Sequence, residues 1–503
     1  MHSSLVRTAY GQLWRQFAHP NQPHPGVNGA ITTPELFANQ NTVVERPLLV
    51  VLMEFTDVQH QAAHDVAHFD DLFFGQNRAN GRPSVAEIYR ENSNGRLLLV
   101  PATDGDLDGT KDGIIGWRTT QATYGDYCCD LIEIQQKRAE AIRIADPLFD
   151  YAIYDMPPRG NGDSVITKDE LAVILVNAAA SGGANVRATN PSPVPVEGNK
   201  LNVSQAIAAA TEHEHVGTMA HELGHQILGL GDLYEATPNT HVADGYLVNN
   251  NTDWLPPPPG PYSFMALYPE WRILHLDPWA KIHLGFVKPL IVTHDGTYTL
   301  YDAETERTFP LQDSQPEAII IYDPLQNDPY KEYFILENRN QEALDDQGLA
   351  VWLVNENETN LRKVIRLIRR EGHWPTTWHN DSLALWNGID KVQGYDFTAT
   401  STPRNTGWTN ATASYIEIYD ISPAGPTMTF KVRMPPIFVD QANNGFEYGS
   451  QSNPFNTVIE GINAIIEPPR TIRIAGGFYP EKLIINTLVT LKGWRNGNAV
   501  IGN

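Results

Sequence analysis

Two nearly unbroken apolar runs of strand length, Leu48-Leu49-Val50-Val51-Leu52-Met53-Glu54-Phe55 and Leu171-Ala172-Val173-Ile174-Leu175-Val176, frame the first part of the chain. Their length and β-branched content predict strands. Helical patterning near 84–92 and 130–145 lies between them, so residues 45–289 read as an α/β domain. From 290 to 434 the pattern shortens to Thr297-Tyr298-Thr299-Leu300-Tyr301, Ala318-Ile319-Ile320-Ile321-Tyr322, Tyr415-Ile416-Glu417-Ile418-Tyr419 and Met428-Thr429-Phe430-Lys431-Val432. Short runs bounded by Asp, Gly and Pro predict an antiparallel, sandwich-like β-domain. Its expected role is to brace the first domain, with substrate holding as the alternative. Residues 1–44 form a polar lead-in with one short amphipathic stretch, Leu13-Trp14-Arg15-Gln16-Phe17. The Gly-, Pro-, Asn- and Ala-rich segment from Ala178 to Val203 is expected to be a surface loop and a candidate flap over a cleft.

Pro435-Pro436 marks a further boundary. Beyond it, Ile437-Phe438-Val439, Asn453 to Ala464, Thr471-Ile472-Arg473-Ile474 and Val489-Thr490-Leu491 supply short apolar strands and a capping helix that can stack as rungs. They resemble the opening of a right-handed parallel β-helix of the pectin-lyase-like kind. Roughly three repeats are normally needed for such a core, so residues 435–503 are expected to form only a partial, β-helix-like segment. The whole chain is thus expected to be a multidomain α+β protein.

At 503 residues and 41% hydrophobic, the chain can bury several cores. A formal net charge of -23 argues against nucleic-acid binding and favours hard cations locally. No apolar run is long enough for a membrane span. The two cysteines, Cys128 and Cys129, are adjacent, so they provide no disulfide framework and are expected to be thiols. Met1-His2-Ser3-Ser4-Leu5-Val6-Arg7 lacks the apolar stretch of a signal peptide.

The densest chemistry lies in His221-Glu222-Leu223-Gly224-His225. On a helix, residues four apart share a face, so both imidazoles can reach one metal ion, with Glu222 beside them as a general base. Gly229 and Gly231 supply a stop, and the turn can swing Asp232 back as a third ligand, leaving one position open for water and substrate. Tyr262-Ser263-Phe264-Met265-Ala266 can form a methionine-containing turn beneath the ligands. Tyr262 and Tyr268 flank it and are expected to be packing tyrosines, with oxyanion donation as the alternative role. His213 and His215 lack helical spacing to the pair and are expected to be surface residues.

With these residues, the chain resembles the immune inhibitor A-like family of secreted zinc metallopeptidases, within the metzincin group. The likeness extends to Leu276-Asp277-Pro278-Trp279-Ala280-Lys281-Ile282-His283-Leu284-Gly285-Phe286-Val287. It also takes in Leu49 to Asp57, Ser84 to Leu97, Glu332 to Arg339 and Gly348 to Trp352, and so covers roughly residues 45 to 435. It implies a metzincin-like α/β zinc peptidase domain, Zn2+ held by His221, His225 and Asp232, protein or peptide substrates, and secretion. One departure stands out: the family pattern puts a glycine three residues and the third ligand six residues after the second histidine. Here Leu228 holds the first place and Asp232 the seventh. Either the helix runs one residue longer before Gly229, or Glu235 or a more distant residue is the third ligand. The rival readings are an inactive peptidase-like adhesion protein and, less well supported, a polysaccharide-active enzyme.

Two acidic loops are candidate Ca2+ sites, with solvated acidic turns as the alternative. One carries Asp104, Asp106, Asp108 and Asp112, with Ile115 where an EF-hand has glutamate; the other carries Asn161, Asp163 and Glu170, with Arg159 in the first position and Asp155 nearby.

Overall fold

Strand β1 (Val44–Glu54) is buried along nearly its whole length, and its side chains divide between two cores. Leu48, Val50 and Leu52 join one hydrophobic cluster; Leu49, Val51 and Met53 join another on the opposite face. Period-two alternation of side chains makes this division, and burial on both faces is why the run reads as continuously apolar. The structure, a computed structural model, describes residues 43–76, 78–127, 131–179, 184–185, 193–233, 242–243, 246–247, 262–266, 275–307, 314–323, 332–340, 346–355, 364–368, 385–388, 414–465 and 468–502. The lead-in at 1–42 and Cys128-Cys129 lie outside them.

Helices α1 (Val66–Phe74) and α2 (Val85–Asn92) follow β1, the second opened by a reciprocal capping box between Ser84 and Glu87. Strands β2 (Leu97–Pro101) and β3 (Ile114–Thr119) pair in parallel with the early and late parts of β1. Helix α3 (Leu131–Ala145) and the short α4 (Ala152–Asp155) lead through β4 (Val165–Ile166) to β5 (Ala172–Asn177), which pairs in parallel with β1 at Val50↔Ile174. Next come β6 (Ala184–Asn185), β7 (Val194–Val196), β8 (Leu201–Val203) and β9 (Ala208–Thr211). Strand β9 extends the parallel sheet and β6 closes it as an antiparallel edge, giving the order β2-β1-β5-β9-β6.

The segment 178–203 therefore corrects the expectation of a surface loop, within the residues described. It contributes the sheet edge β6 and the β7–β8 hairpin, which joins β4. Val194, Val196, Leu201 and Val203 are buried in the same cluster as Ala141 and Ile142 of α3. Two three-residue alternations are too short to stand out against their glycine- and asparagine-rich surroundings.

Helix α5 (Val216–Leu228) lies on the other face of the sheet. A small hairpin, β10 (Val242–Ala243) with β11 (Tyr246–Leu247), and helix α6 (Pro278–His283), capped by Asp277, complete this part. Strands β12 (Leu290–Val292), β13 (Gly296–Tyr301), β14 (Ala318–Ile321), β15 (Glu332–Arg339), β16 (Gly348–Asn355), β17 (Ile365–Ile368), β18 (Glu417–Tyr419) and β19 (Thr427–Arg433) then form two sheets. Their orders are β12-β14-β15-β16-β17 and β13-β19-β18. The pairing is antiparallel as expected, except that β12 runs parallel to β14. The two sheets enclose one core containing Leu300, Ile319, Phe334, Val351, Met428 and Phe430.

The opposite face of the five-stranded sheet shares its core with the parallel sheet. Ile320, Ile335, Trp352 and Leu367 belong to one cluster with Val50, Ile174, Met219 and Leu223. Past 434, strands β20 (Ile437–Val439), β21 (Arg470–Tyr479) and β22 (Val489–Ile501) stack in parallel, with α7 (Val458–Asn463) contributing Val458 to their core. Buried Arg470 ties this stack to the preceding sheets through Thr293 O at 3.1 Å and Pro435 O at 2.7 Å. The architecture is mixed α+β with several sheets and few helices, and no described helix is long and apolar enough to cross a membrane.

Because one cluster spans both sheets, they are expected to unfold together. Ile335→Ala should cost about 2–5 kcal/mol and shift the urea transitions followed by tryptophan fluorescence and far-ultraviolet dichroism equally. A separate early transition of one half would contradict the shared core.

Candidate metal centre

The sequence of α5 gives it an apolar face at Val216, Met219, Ala220, Leu223 and Ile227, all in the shared core, and this spacing places His221 and His225 together on a neighbouring flank. The hydroxyl of Tyr89 on α2 donates to Ala220 O at 2.8 Å and docks the two helices. At the start, the Nδ1 of His215 accepts the Thr218 N–H at 3.3 Å. At the end, Gly229 turns left-handed with φ +67°, its N–H donates to His225 O at 3.1 Å, and the Leu230 N–H reaches Gly224 O at 3.2 Å. A residue with a Cβ is strained in that conformation. The helix thus runs through Leu228 and ends at Gly229, as one of the two expectations for this segment had it.

Past this turn Asp232 comes back to the helix. Its Oδ1 lies 3.3 Å from His221 Nε2 and 3.1 Å from His225 Nε2, and the two Nε2 atoms are 3.0 Å apart. Among the described residues, these three form the one group of three or more His, Cys, Asp or Glu side chains whose ligand atoms converge. Both Nδ1 atoms face carbonyl oxygens, His221 at Phe264 O (2.9 Å) and His225 at Leu230 O (2.7 Å). A carbonyl only accepts, so each Nδ1 carries a hydrogen and, in the neutral rings, each Nε2 presents a lone pair. Asp232 Oδ1 makes no hydrogen bond of proper geometry.

A carboxylate oxygen and two ring nitrogens facing one another at this range call for a proton or a metal cation among them. A tetrahedral ion with bonds of about 2.0–2.2 Å requires ligand atoms roughly 3.3–3.6 Å apart, close to the observed triangle. The donor set of two imidazoles and a carboxylate suits zinc as well as other divalent transition metals. Burial works against ionisation of Asp232, but the rings of His221 and His225 hold its carboxyl well below the usual carboxylate range. Burial likewise disfavours charge on His225, and the Asp232 carboxylate overrides it, raising that imidazole above its ordinary value.

Glu222 points into the same region. It is buried, and its Oε2 has no hydrogen-bond partner. Burial pushes its carboxyl up to about 7; Asp232 and Glu214 add to the rise, and His225 and Arg138 oppose it. His221 and Glu222 are enclosed, whereas the side chains of His225 and Asp232 are 16% and 27% exposed, so the group opens on one side.

The 262–266 turn underlies the group. Besides the Phe264 carbonyl, Met265 O accepts the Leu233 N–H at 2.9 Å and so holds the residue next to Asp232. Gly224 permits the close approach: a Cβ there would sit 2.8 Å from Met265 Sδ. Tyr262 is buried and donates to Asp346 Oδ2 at 2.7 Å, a packing role that removes it as an oxyanion donor. Tyr268 and Glu235 lie outside the described residues. His213 and His215 do not ligate, but neither is a free surface residue: His213 Nε2 lies 2.7 Å from Ala179 O, and His215 caps α5.

The acidic loops form no comparable group. Asp106 accepts from the N–H groups of Asp108 and Gly113, Asp108 from Thr110, and Asp112 from Ile114, while Asp104 pairs with Arg159. In the second loop, Asn161 accepts from Asp163 N–H, Asp163 from Val165 N–H, and Glu170 from Thr167 N–H. These side chains bond to the backbone of their own turns, with Asn161 Nδ2 also 3.0 Å from Asp163 Oδ2. One spacing passed over in the sequence is His60, His64 and His68. His60 Nδ1 lies 2.6 Å from Glu54 Oε2 and His64 Nδ1 lies 2.8 Å from Glu212 Oε2, tying the approach to α1 onto the strand ends. No family model and no curated protein matches the chain.

Gly229→Ala should destabilise the protein by about 1 kcal/mol or more and, by displacing Asp232, weaken metal retention in equilibrium dialysis. A variant with parental dialysis behaviour would remove Gly229 from the site. A second expectation concerns Glu91, 3.1 Å from His275 Nδ1. Burial pushes its carboxyl up to about 8 against the pull of Lys281 and Arg339. Folded protein then holds a proton there that unfolded chain has lost, so this group's contribution worsens from about pH 4.5 to about 8, by at most about 1.4 kcal/mol per pH unit. Urea midpoints of Glu91→Gln should overtake those of the parent across that window, in chelator-treated samples.

Proposed function

We propose that this chain is a zinc-dependent endopeptidase of the immune inhibitor A-like, metzincin kind, acting on protein or peptide substrates outside the cell. The observation that carries the reading is the convergence of His221, His225 and Asp232 beside a buried, unpartnered Glu222 oxygen. Zinc, when bound, supplies a Lewis acid that acidifies a water molecule to a pKa of about 7 and polarises a carbonyl.

The chain's own residues do the rest. His221 and His225 offer Nε2 lone pairs, and Asp232 offers one anionic oxygen, so the donor set carries a single negative charge. The Glu222 carboxylate takes a proton from the attacking water as its oxygen bonds to the peptide carbon. It then delivers that proton to the departing amine nitrogen as the C–N bond breaks. Its raised carboxyl suits both halves of that exchange. Enclosure of His221 and Glu222 excludes bulk water, and the side open at His225 and Asp232 admits substrate. We further propose that the two sheets of residues 290–434 brace the peptidase part, and that the parallel stack past 435 is β-helix-like and takes no part in the chemistry. A buried Glu222 oxygen without a hydrogen-bond partner, beside the converging ligands, favours this reading over an inactive adhesion protein.

Elemental analysis should find one zinc per chain. Glu222→Ala should lower casein hydrolysis by about 100-fold or more while keeping the metal, and Asp232→Ala should lose the metal. Zinc with no parental hydrolysis would favour the adhesion reading; absence of any metal would remove the proposal.

A further inference from the structure

We infer that Arg339, on strand β15 of the second sheet, is a positioning residue for the metal ligand His221, acting through the 262–266 turn. The inference rests on the metal reading above.

Arg339 is 1% exposed and its hydrogen-bonding capacity is directed on two sides. On one side, its Nε donates to Glu337 Oε1 at 2.7 Å and its Nη1 to Glu304 Oε1 at 3.2 Å. On the other, its Nη2, which also lies 2.6 Å from Glu337 Oε1, reaches Tyr262 O at 3.2 Å and Leu276 O at 3.0 Å. The carboxylates neutralise and aim the guanidinium, and Trp352 Nε1 in turn holds Glu337 Oε1 at 3.0 Å. The planar fork thus spans two carboxylates and two backbone carbonyls at once, which a lysine ammonium on a flexible stem does far less well.

Those carbonyls flank the element that matters. Tyr262 opens the turn, and Leu276 follows His275, whose carbonyl accepts the Phe264 N–H at 2.9 Å. Two residues past the clamp, Phe264 O receives the Nδ1–H of His221 and sets which ring nitrogen faces the metal. The turn is pinned from the same sheet region a second time, where Tyr262 Oη donates to Asp346 Oδ2 and the Leu385 N–H also reaches that oxygen at 2.9 Å. Residues far downstream of the histidine helix thus fix the carbonyl that orients its first ligand.

The test compares Arg339→Lys with Arg470→Lys, a second buried arginine that also grips carbonyls but lies away from the turn. The cobalt-substituted proteins are read by visible absorption and by chelator competition. Arg339→Lys should bind metal about 10- to 100-fold more weakly with a shifted cobalt spectrum, while Arg470→Lys keeps parental affinity and spectrum. If Arg339→Lys does not fold, Glu304→Gln, which loosens the guanidinium without deleting it, should shift the spectrum in the same sense. A parental spectrum and affinity in whichever of the two folds overturns the inference. So does an equal loss in both arginine variants, which would be a purely structural effect. Failure of the parent to bind cobalt or zinc would instead overturn the metal reading itself.

Discussion

The close approach of three ligand-type atoms is the constraint at the centre of this protein. His221, His225 and Asp232 bring two ring nitrogens and a carboxylate oxygen within 3.0–3.3 Å of one another. Asp232 and His225 favour one another's charged forms, and the surrounding structure sets where the three atoms meet. The helix provides the spacing of the imidazoles, the left-handed Gly229 returns the chain, and the Phe264 and Leu230 carbonyls turn both rings the same way. A rigid apolar base beneath, with Met265 seated against Gly224, keeps the side chains from relaxing apart.

That base is built by distant parts of the chain. The parallel sheet supplies one wall through β1, β5 and β9, and the five-stranded sheet supplies another through Ile320, Ile335 and Trp352, in a single apolar cluster. Beside this cluster runs a buried polar layer of Glu304, Glu337, Arg339 and Asp346. Such a layer is costly if any member is left unpaired, and here Arg339 reaches Tyr262 O in the methionine-containing turn and Leu276 O beyond it. The second set of sheets therefore reaches the turn beneath the histidine helix as well as sharing its core.

Much of this was legible in the residues. Apolar runs placed β1 and β5, and helical patterning placed α2 and α3, because a side-chain period follows directly from backbone geometry. The HExxH spacing and the glycines after it likewise anticipated a helix, a turn and a returning acid. The β7–β8 hairpin was not legible: its three-residue alternations become significant only when packed against α3. The acidic loops were legible as acidic, whereas the backbone N–H groups that their carboxylates accept from follow from the local turn.

What the sequence by itself determined is local: which segments are strands or helices, and which side chains bear the chemistry, since both follow from the order of residue types. Tertiary structure alone decided that Asp232 closes on both imidazoles and that Tyr262 is buried on Asp346 rather than offered to a substrate. It also decided that Arg339 holds a turn it is nowhere near in sequence. These are matters of approach through space, set by how two sheets share a core, and no local periodicity encodes them.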